Sequence, residues 1–177
     1  MAKSSVKQIE QDEKKILDEL SKNANKSIND IAESCHFSRQ KVWRVINHLE
    51  KNHTIWGYVA VVDEEKLDKK SYIMLVKRTN KPITQILVNQ ILNREFANRV
   101  KKMGIAITNS YYTHGNYDWV ICFNANDMRE AKSFVEIYNK LYEGYVSEIH
   151  LLENMFSAVR CGVTNPEIEK LNDFFKV

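Results

Sequence analysis

Residues 35–50, CHFSRQKVWRVINHLE, contain side chains suited to metal binding, to core packing and to contact with nucleic acid. Cys35 and His36 are the potential metal ligands, but adjacent side chains on a helix point in different directions. No second cysteine follows at the spacing of a structural zinc site. We therefore expect Cys35 to end a short helix as a small buried hydrophobe, with no metal bound here.

The basic and amide residues of this stretch favour contact with DNA, because arginine and lysine pair with guanine and phosphate, and glutamine with adenine. Ser38 is a good N-cap residue and predicts a helix over Arg39–Asn52. Its apolar residues recur at helical spacing and would face the core, namely Val42, Val45, Ile46 and Leu49. The remaining positions form the candidate DNA-binding set, which is Ser38, Arg39, Gln40, Lys41, Arg44 and His48.

The flanking segments predict a winged helix-turn-helix around this helix. A helical period over residues 11–22 indicates a first helix, with Asp12 near the positive end of its dipole. Ser27 and Asp30 form the S-x-x-D pattern of a capping box and predict a short second helix. Residues 54–63, TIWGYVAVVD, are β-branched and aromatic around a glycine, which predicts a hairpin, the wing. Trp43 would pack against the first helix or the wing, or touch the DNA backbone.

The second half predicts a ferredoxin-like β-α-β-β-α-β unit. Its expected elements are a strand over 71–79, one long helix that is marked by apolar residues from Ile86 to Val100 and ends at Gly104, strands over 105–114 and 117–125, a helix over 127–142 capped by Asp127, and a strand over 145–159. Pro166 opens a last short helix. The predicted fold is thus α+β, with a winged helix-turn-helix over 1–63, a linker over 64–70, a ferredoxin-like domain over 71–160 and a C-terminal extension over 161–177.

The composition is that of an ordinary globular protein, with 44% hydrophobic and 28% charged residues in 177. No apolar run reaches the roughly 20 residues that span a bilayer, and the N-terminus lacks the apolar core of a signal peptide. We therefore expect a cytoplasmic protein without membrane contact. The net charge of +3 implies no particular partner, but residues 38–53 concentrate four basic side chains against Glu50. Three widely spaced cysteines argue against a disulfide framework.

The chain resembles the Lrp/AsnC family of prokaryotic transcription regulators over roughly residues 9–160. The matching segments are DEKKILDELSKNANKSINDIAESCHFSRQKVWRVINHLEKNHTIWGYVAVVD, with the family's Ile-x-Gly-Tyr strand at its end, and THGNYDWVICFNANDMREAKSFVEIYNKL, with its Gly-x-Tyr-Asp turn. The resemblance implies a regulator that binds double-stranded DNA as a homodimer or a larger assembly such as an octamer. The chain departs from the family pattern at two places. One is His53, where many members have glycine, and the other is the tail beyond about residue 160, which is longer than in the family.

The resemblance also implies an amino-acid effector held between subunits near the Gly-x-Tyr-Asp turn. The candidate effector-binding residues are Thr113, Gly115, Asn116 and Asp118, where Asp118 would meet an α-amino group. Ser147 and His150 could line the same pocket. The alternative is that Gly115 and Asp118 only shape a β-turn.

Two other functions stay open at the level of sequence. The first is an enzyme, because haem-pathway decarboxylases look like this family, and His114, Tyr111, Tyr112 and Arg160 could be recruited to such chemistry. The second is a ligand-sensing interaction protein that pairs with a paralogue, and the basic cluster at residues 77–102 could form its binding surface. No phosphate loop, nucleophile elbow or H-E-x-x-H motif is present in the sequence. We therefore expect no cofactor and no catalytic residues.

Overall fold

The computed structural model describes residues 6–175, and its contacts divide the chain into two compact units between Val61 and Val62. The first five and last two residues, which the sequence assigns to the DNA-binding domain and to the C-terminal extension, lie outside the described part. No helix of residues 6–175 is both long enough and apolar enough to cross a membrane.

Three helices build the N-terminal unit, as the sequence predicts: α1 (Val6–Lys22), α2 (Ile28–Cys35) and α3 (Arg39–Lys51). The capping box of α2 is confirmed, because the Asp30 amide donates to the Ser27 hydroxyl and the Ser27 amide donates to the Asp30 carboxylate. His36 then adopts a left-handed conformation, with φ 56° and ψ 45°, and ends α2. The chain turns there directly into α3.

The apolar stripes of the three helices meet in one small core. Ile16, Ile31 and Val42 are almost completely buried, one from each helix. Cys35 is only 6% exposed and packs in the same cluster, which confirms it as a small buried hydrophobe. Burial raises the pKa of its thiol.

The predicted wing hairpin is wrong for the described chain. Residues 56–63 form neither a helix nor a strand, although the Ile55 amide donates to the Leu49 carbonyl at 3.0 Å and the Tyr58 hydroxyl donates to Glu50 at 3.0 Å. A strand needs a second strand to satisfy its amide and carbonyl groups, and the described part of the chain supplies none here. Trp56 is 95% exposed and Val59 is 82% exposed.

The C-terminal unit is built on a four-stranded antiparallel sheet in the order β2-β3-β1-β4. Its strands are β1 (Lys70–Arg78), β2 (Ala106–Tyr112), β3 (Trp119–Ala125) and β4 (Val146–Glu153). Helix α6 (Met128–Leu141) packs on one face, with the Asp127 carboxylate accepting from the Glu130 amide at 2.8 Å. This is the ferredoxin-like arrangement and confirms the predicted α+β class.

One face of the sheet carries the main core of this unit. Along β1, the side chains of Tyr72, Met74 and Val76 are fully buried, while the residues between them are half-exposed on the opposite face. Phe134 of α6 stacks on Phe123 of β3 with ring centroids 3.8 Å apart. The helices therefore cover only one side of the sheet.

The single helix predicted from about Ile86 to Gly104 is wrong, because two shorter helices occupy this range, α4 (Gln85–Leu92) and α5 (Glu95–Lys101). Arg94 between them adopts a left-handed conformation with φ 54°, which no α-helix can contain. Of the predicted apolar face, Leu87, Phe96 and Val100 are buried, whereas Ile86 is 73% exposed.

The last predicted strand is also shorter than expected. β4 ends at Glu153, and a separate two-stranded hairpin follows, formed by β5 (Val159–Arg160) and β6 (Val163–Thr164). The Cys161–Gly162 turn, in which both residues have positive φ, reverses the chain between them. Beyond Pro166 the chain forms a 3-10 turn over Ile168–Leu171 and a short helix, α7 (Asn172–Phe175). The charged segment predicted as a linker contains a 3-10 turn over Glu64–Leu67.

Candidate nucleic-acid interface

The N-terminal end of α3 is fixed by its cap. Ser38 has extended backbone angles, and its hydroxyl accepts a hydrogen bond from the Lys41 amide at 3.2 Å. The cap confirms the predicted start of the helix, and it directs the first amide groups of α3 away from the core. Val42 and Leu49, on the inner face, are 0% and 1% exposed.

Three of the predicted DNA-binding residues lie together and free on the outer face. The side chains of Arg39, Gln40 and Arg44 are exposed, and within residues 6–175 none of them has a hydrogen bond or an ion pair. The capped helix therefore presents two guanidinium groups and one side-chain amide that make no hydrogen bond or ion pair within the described residues. Groups of this kind can pair with phosphate oxygens and with base edges.

Lys41 is placed differently from these three. Its ammonium contacts the Asp12 carboxylate with Nζ and Oδ2 2.5 Å apart, and it also lies 3.8 Å from the centre of the Phe37 ring. The Lys41 side chain is 31% exposed and that of Asp12 only 6%. The lysine thus links α3 to α1, and a contact with DNA would compete with this pair.

His48 and Trp43 are two further exposed residues of α3. His48 Nε2 lies 3.7 Å from a carboxylate oxygen of Glu13, and its side chain is 63% exposed. Trp43 is 59% exposed. It is not part of the buried core of this unit, and its contact with the first helix, with the wing or with the DNA backbone stays a prediction.

Sequence reasoning missed the role of Asp12. The helix begins at Val6, so Asp12 is not in the first turn, and the predicted interaction with the helix dipole is wrong. A signal was present, because Asp12 precedes Ile16 by four residues and therefore occupies the apolar stripe of α1. A carboxylate at such a position needs a buried partner. Lys41, at the matching end of α3, is that partner.

The candidate effector turn is closed by its own hydrogen bonds. The Thr113 amide donates to the Asp118 carbonyl at 2.8 Å, and the Thr113 hydroxyl donates to the Tyr117 carbonyl at 2.7 Å. Asp118 Oδ2 accepts from the amide of Arg78 at 2.8 Å. Gly115 has φ +151°, a backbone region that favours glycine. One oxygen of Asp118 therefore has a structural role.

Other predicted pocket residues border this turn. The His150 ring lies 5.7 Å from that of Tyr117, edge to face, and its Nε2 is 2.8 Å from Glu148. Ser147 donates to the carbonyl of Arg78 at 2.9 Å, so it touches the same end of β1 as Asp118. The side chain of Asn116 is exposed. These groups lie around the turn.

The residues suggested for an enzymatic site are not brought together. Tyr111 and Tyr112 are successive residues of β2 and point to opposite faces of the sheet. Arg160 forms an ion pair with Glu64 and donates to the Val62 carbonyl at 3.3 Å. His114 is exposed at the turn. Among residues 6–175, no three His, Cys, Asp or Glu side chains gather as a metal-binding group.

Comparison with known proteins supports the assignment of both units. Residues 13–55 match a family described as winged helix-turn-helix DNA-binding. No curated protein matches the chain significantly. An AsnC family transcriptional regulator from Agrobacterium tumefaciens superposes with a TM-score of 0.62 at 19% identity, over 84% of this chain and 92% of that one.

Two other similar structures contain an amino acid. A feast or famine regulatory protein from M. tuberculosis complexed with L-methionine has a TM-score of 0.65 at 12% identity, covering 86% of this chain and 95% of its own. A transcriptional regulator–L-methionine complex from Neisseria meningitidis has a TM-score of 0.60 at 17% identity, covering 84% and 91%. The protein thus has the fold of the Lrp/AsnC regulators, with a matched winged helix-turn-helix segment in its N-terminal unit.

Proposed function

We propose that the protein is a sequence-specific DNA-binding transcription regulator of the Lrp/AsnC type. The observation that carries the proposal is the outer face of α3, where Arg39, Gln40 and Arg44 have no partner within residues 6–175. Two unpaired arginines on one exposed helix add little to the stability of the protein, whereas a DNA-binding helix requires such free positive charges. The matched winged helix-turn-helix segment includes all three.

In this proposal the N-terminal end of α3 enters the major groove. Arg39 and Arg44 are five residues apart, which corresponds to about 7.5 Å along a helix axis and thus to about two base-pair steps. One arginine can form two hydrogen bonds with guanine while the other binds a phosphate, and Gln40 can pair with adenine. His48, one turn further on, would contact the backbone.

Lys41 has a second role in this scheme. Its pair with Asp12 joins α1 to α3 and thereby fixes the angle at which the neighbouring arginines are presented. Lys41 would contact a phosphate only by leaving Asp12. We therefore assign direct contacts to Arg39, Gln40 and Arg44 first, and a positioning role to Lys41.

The test is footprinting followed by gel shifts on DNA from the protein's own promoter region. Arg39→Ala, Gln40→Ala and Arg44→Ala should each weaken specific binding by roughly 1–3 kcal/mol. Lys51→Ala is the matched control, since Lys51 is an exposed cation at the opposite end of the same helix. If the three variants keep full affinity while folded, α3 does not carry the DNA contacts.

We infer a homodimer from the face of the sheet that lacks helices. Ile73, Leu75, Val120 and Cys122 lie on this face and are half-exposed, and Leu152 beside them is 47% exposed. Two such faces can pack about 10 Å apart and remove the apolar side chains from water. An octamer would be built from such dimers.

The extended segment after α3 supports the same assembly. Residues 56–62 expose Trp56, Tyr58, Val59, Val61 and Val62 and form no strand in the single chain. Unpaired extended backbone with apolar side chains is suited to strand pairing with a second copy. In that assembly the missing wing would be completed by the partner.

Analytical ultracentrifugation tests the assembly. Leu152→Lys places a charge on the uncovered sheet face and should shift the protein towards monomer. Leu92→Lys is the control, because Leu92 is 72% exposed on α4, away from that face. Equal association of both variants and the unchanged protein would contradict an interface on this face.

We further propose that the turn at 113–118 takes part in binding an amino acid. One carboxylate oxygen of Asp118 has no partner within residues 6–175 and could accept from an α-ammonium, while the amides near Gly115 could donate to a carboxylate. Isothermal titration with L-methionine tests this site. Asp118→Asn should weaken binding, as should removal of the amino group from the ligand. Equal affinity for the deaminated analogue would exclude this role of Asp118.

A further inference from the structure

A cavity of about 310 Å³ opens between the sheet and the helices of the C-terminal unit. Its walls are mainly aromatic, from Phe96 of α5, Trp119 of β3, and Tyr138 and Tyr142 at the end of α6. The volume is at the lower end of the range for small-molecule sites in proteins. The cavity lies on the helix side of the sheet, opposite the uncovered face.

Two irregularities of the backbone supply the polar groups of this cavity. A register shift between Ile107 and Asn109 of β2 directs Ser110 towards the helices, opposite the inward-facing Ile121 of β3. The left-handed conformation of Arg94 separates α4 from α5 and leaves its side chain in the cavity wall. Bulges and strained residues are common next to ligand sites.

The polar groups in the wall are donors, and none of the lining residues is acidic. The Arg94 guanidinium and the hydroxyls of Ser110, Tyr138 and Tyr142 have no hydrogen-bond partner within residues 6–175. Tyr138 is only 4% exposed and Tyr142 8%, so both side chains are largely buried beside the cavity. Burial raises the pKa of Tyr142 to about 12 and that of Tyr138 further, so both remain protonated donors.

We propose that this cavity binds a small monocarboxylate that carries one aromatic or branched apolar group and no ammonium. The carboxylate would accept hydrogen bonds from Arg94 and the tyrosines, and the apolar group would stack among Phe96 and Trp119. An α-ammonium would be placed near the Arg94 charge, and the carboxylates nearest to the tyrosines, those of Glu95 and Asp118, do not line the cavity. The ligand class therefore differs from the amino acid proposed for the turn at 113–118.

Isothermal titration of the full chain with 3-phenylpropanoate and 4-methylpentanoate tests the proposal. A ligand of about 11 non-hydrogen atoms should bind with Kd on the order of 10⁻⁴ M. L-phenylalanine and 3-phenylpropanamide are the matched ligands that add an ammonium or remove the negative charge, and both should bind at least about tenfold more weakly.

Variants locate the binding. Arg94→Gln should weaken binding of 3-phenylpropanoate about ten- to hundredfold and Tyr138→Phe a few-fold, whereas Arg94→Lys should restore part of the affinity. Arg99→Gln removes an exposed cation of α5 that does not line the cavity and should leave affinity unchanged. Circular dichroism establishes that each variant is folded.

Several results would overturn the proposal. Absence of binding by both carboxylates in the folded protein is one, and equal binding of L-phenylalanine is another. Unchanged affinity in Arg94→Gln would place any bound carboxylate elsewhere. None of these measurements depends on DNA, so their failure is separable from failure of the proposed regulator.

Discussion

The pair of Lys41 with Asp12 gives the sharpest test of how the N-terminal unit is held together. Lys41→Met keeps the length and the apolar stem of the side chain but removes the ammonium. The buried Asp12 would then keep the hydrogen bond from the Gln8 amide, which donates to its Oδ1 at 3.0 Å, and the weaker electrostatic effect of Lys15. The change therefore leaves a carboxylate, 6% exposed, without its ion-pair partner.

The expected cost follows from this burial. Removing one partner of a fully buried ion pair costs about 3–5 kcal/mol. Because about a third of Lys41 is exposed, water can enter and solvate Asp12, and we expect about 2 kcal/mol. Asp12→Asn should cost less, about 1 kcal/mol, because the freed lysine can extend into solvent.

The pH dependence has a definite sign. The hydrogen bond from Lys41 lowers the pKa of Asp12, although burial opposes it. The stabilisation is therefore present above the unfolded pKa of about 3.9 and is lost as the pH falls through the lower folded value. In Lys41→Met the buried carboxyl is easier to protonate, so the difference from the unchanged protein should be largest near pH 7 and shrink towards pH 3.

Urea unfolding at several pH values measures these differences, with Lys51→Met as the control on the same helix. A double-mutant cycle with Asp12→Asn should return a coupling of about 1 kcal/mol or more. A cost below about 0.5 kcal/mol at pH 7, or one that does not change with pH, would refute the argument that this pair holds α1 to α3.

The remaining predictions concern single positions and unfolding measurements. His53 has φ 60°, so His53→Gly should relieve backbone strain and raise the free energy of unfolding by about 0.5 kcal/mol; destabilisation would contradict the conformation of this turn. Phe134 is fully buried, so Phe134→Ala should cost about 3–5 kcal/mol, against less than about 0.5 for Phe175→Ala at a 70% exposed site. Asp127→Ala should cost about 1 kcal/mol by removing the cap of α6, and no loss would show that the cap is replaced by solvent.

Local signals made much of the fold predictable. Ser27, Ser38 and Asp127 are small polar residues placed before apolar periodic stretches, and each caps a helix in the structure. The strand β1 and the helix α6 were likewise predicted close to their observed bounds. Such features depend on residues within a few positions of each other, which is why the sequence reveals them.

The predictions that failed concern features that depend on residues far away in the sequence or on a second strand that the described chain does not contain. Arg94 lies within a sequence that continues a helical pattern. Its left-handed conformation costs free energy, which is offset by the packing of the two flanking helices on the sheet. Residues 56–63 alternate like a strand, but strand formation requires a partner that the described chain does not contain. The Lys41–Asp12 pair joins residues 29 apart, beyond any local pattern.

The sequence predicted the candidate DNA-binding residues but not the cavity in the C-terminal unit. The positions of Arg39, Gln40 and Arg44 followed from helical spacing alone, and the structure leaves all three exposed. The cavity beside Arg94 had no signal in the sequence, because its walls come from separate elements and from a bulge in β2. Its aromatic residues have the spacing of ordinary core positions.

Arg160 forms an ion pair with Glu64 and donates a hydrogen bond to the Val62 carbonyl. This contact places the beginning of the C-terminal unit next to the hairpin that follows its last long strand. The contact therefore anchors the first residues of the C-terminal unit to the segment that follows its sheet, and a break in this ion pair would free both at once.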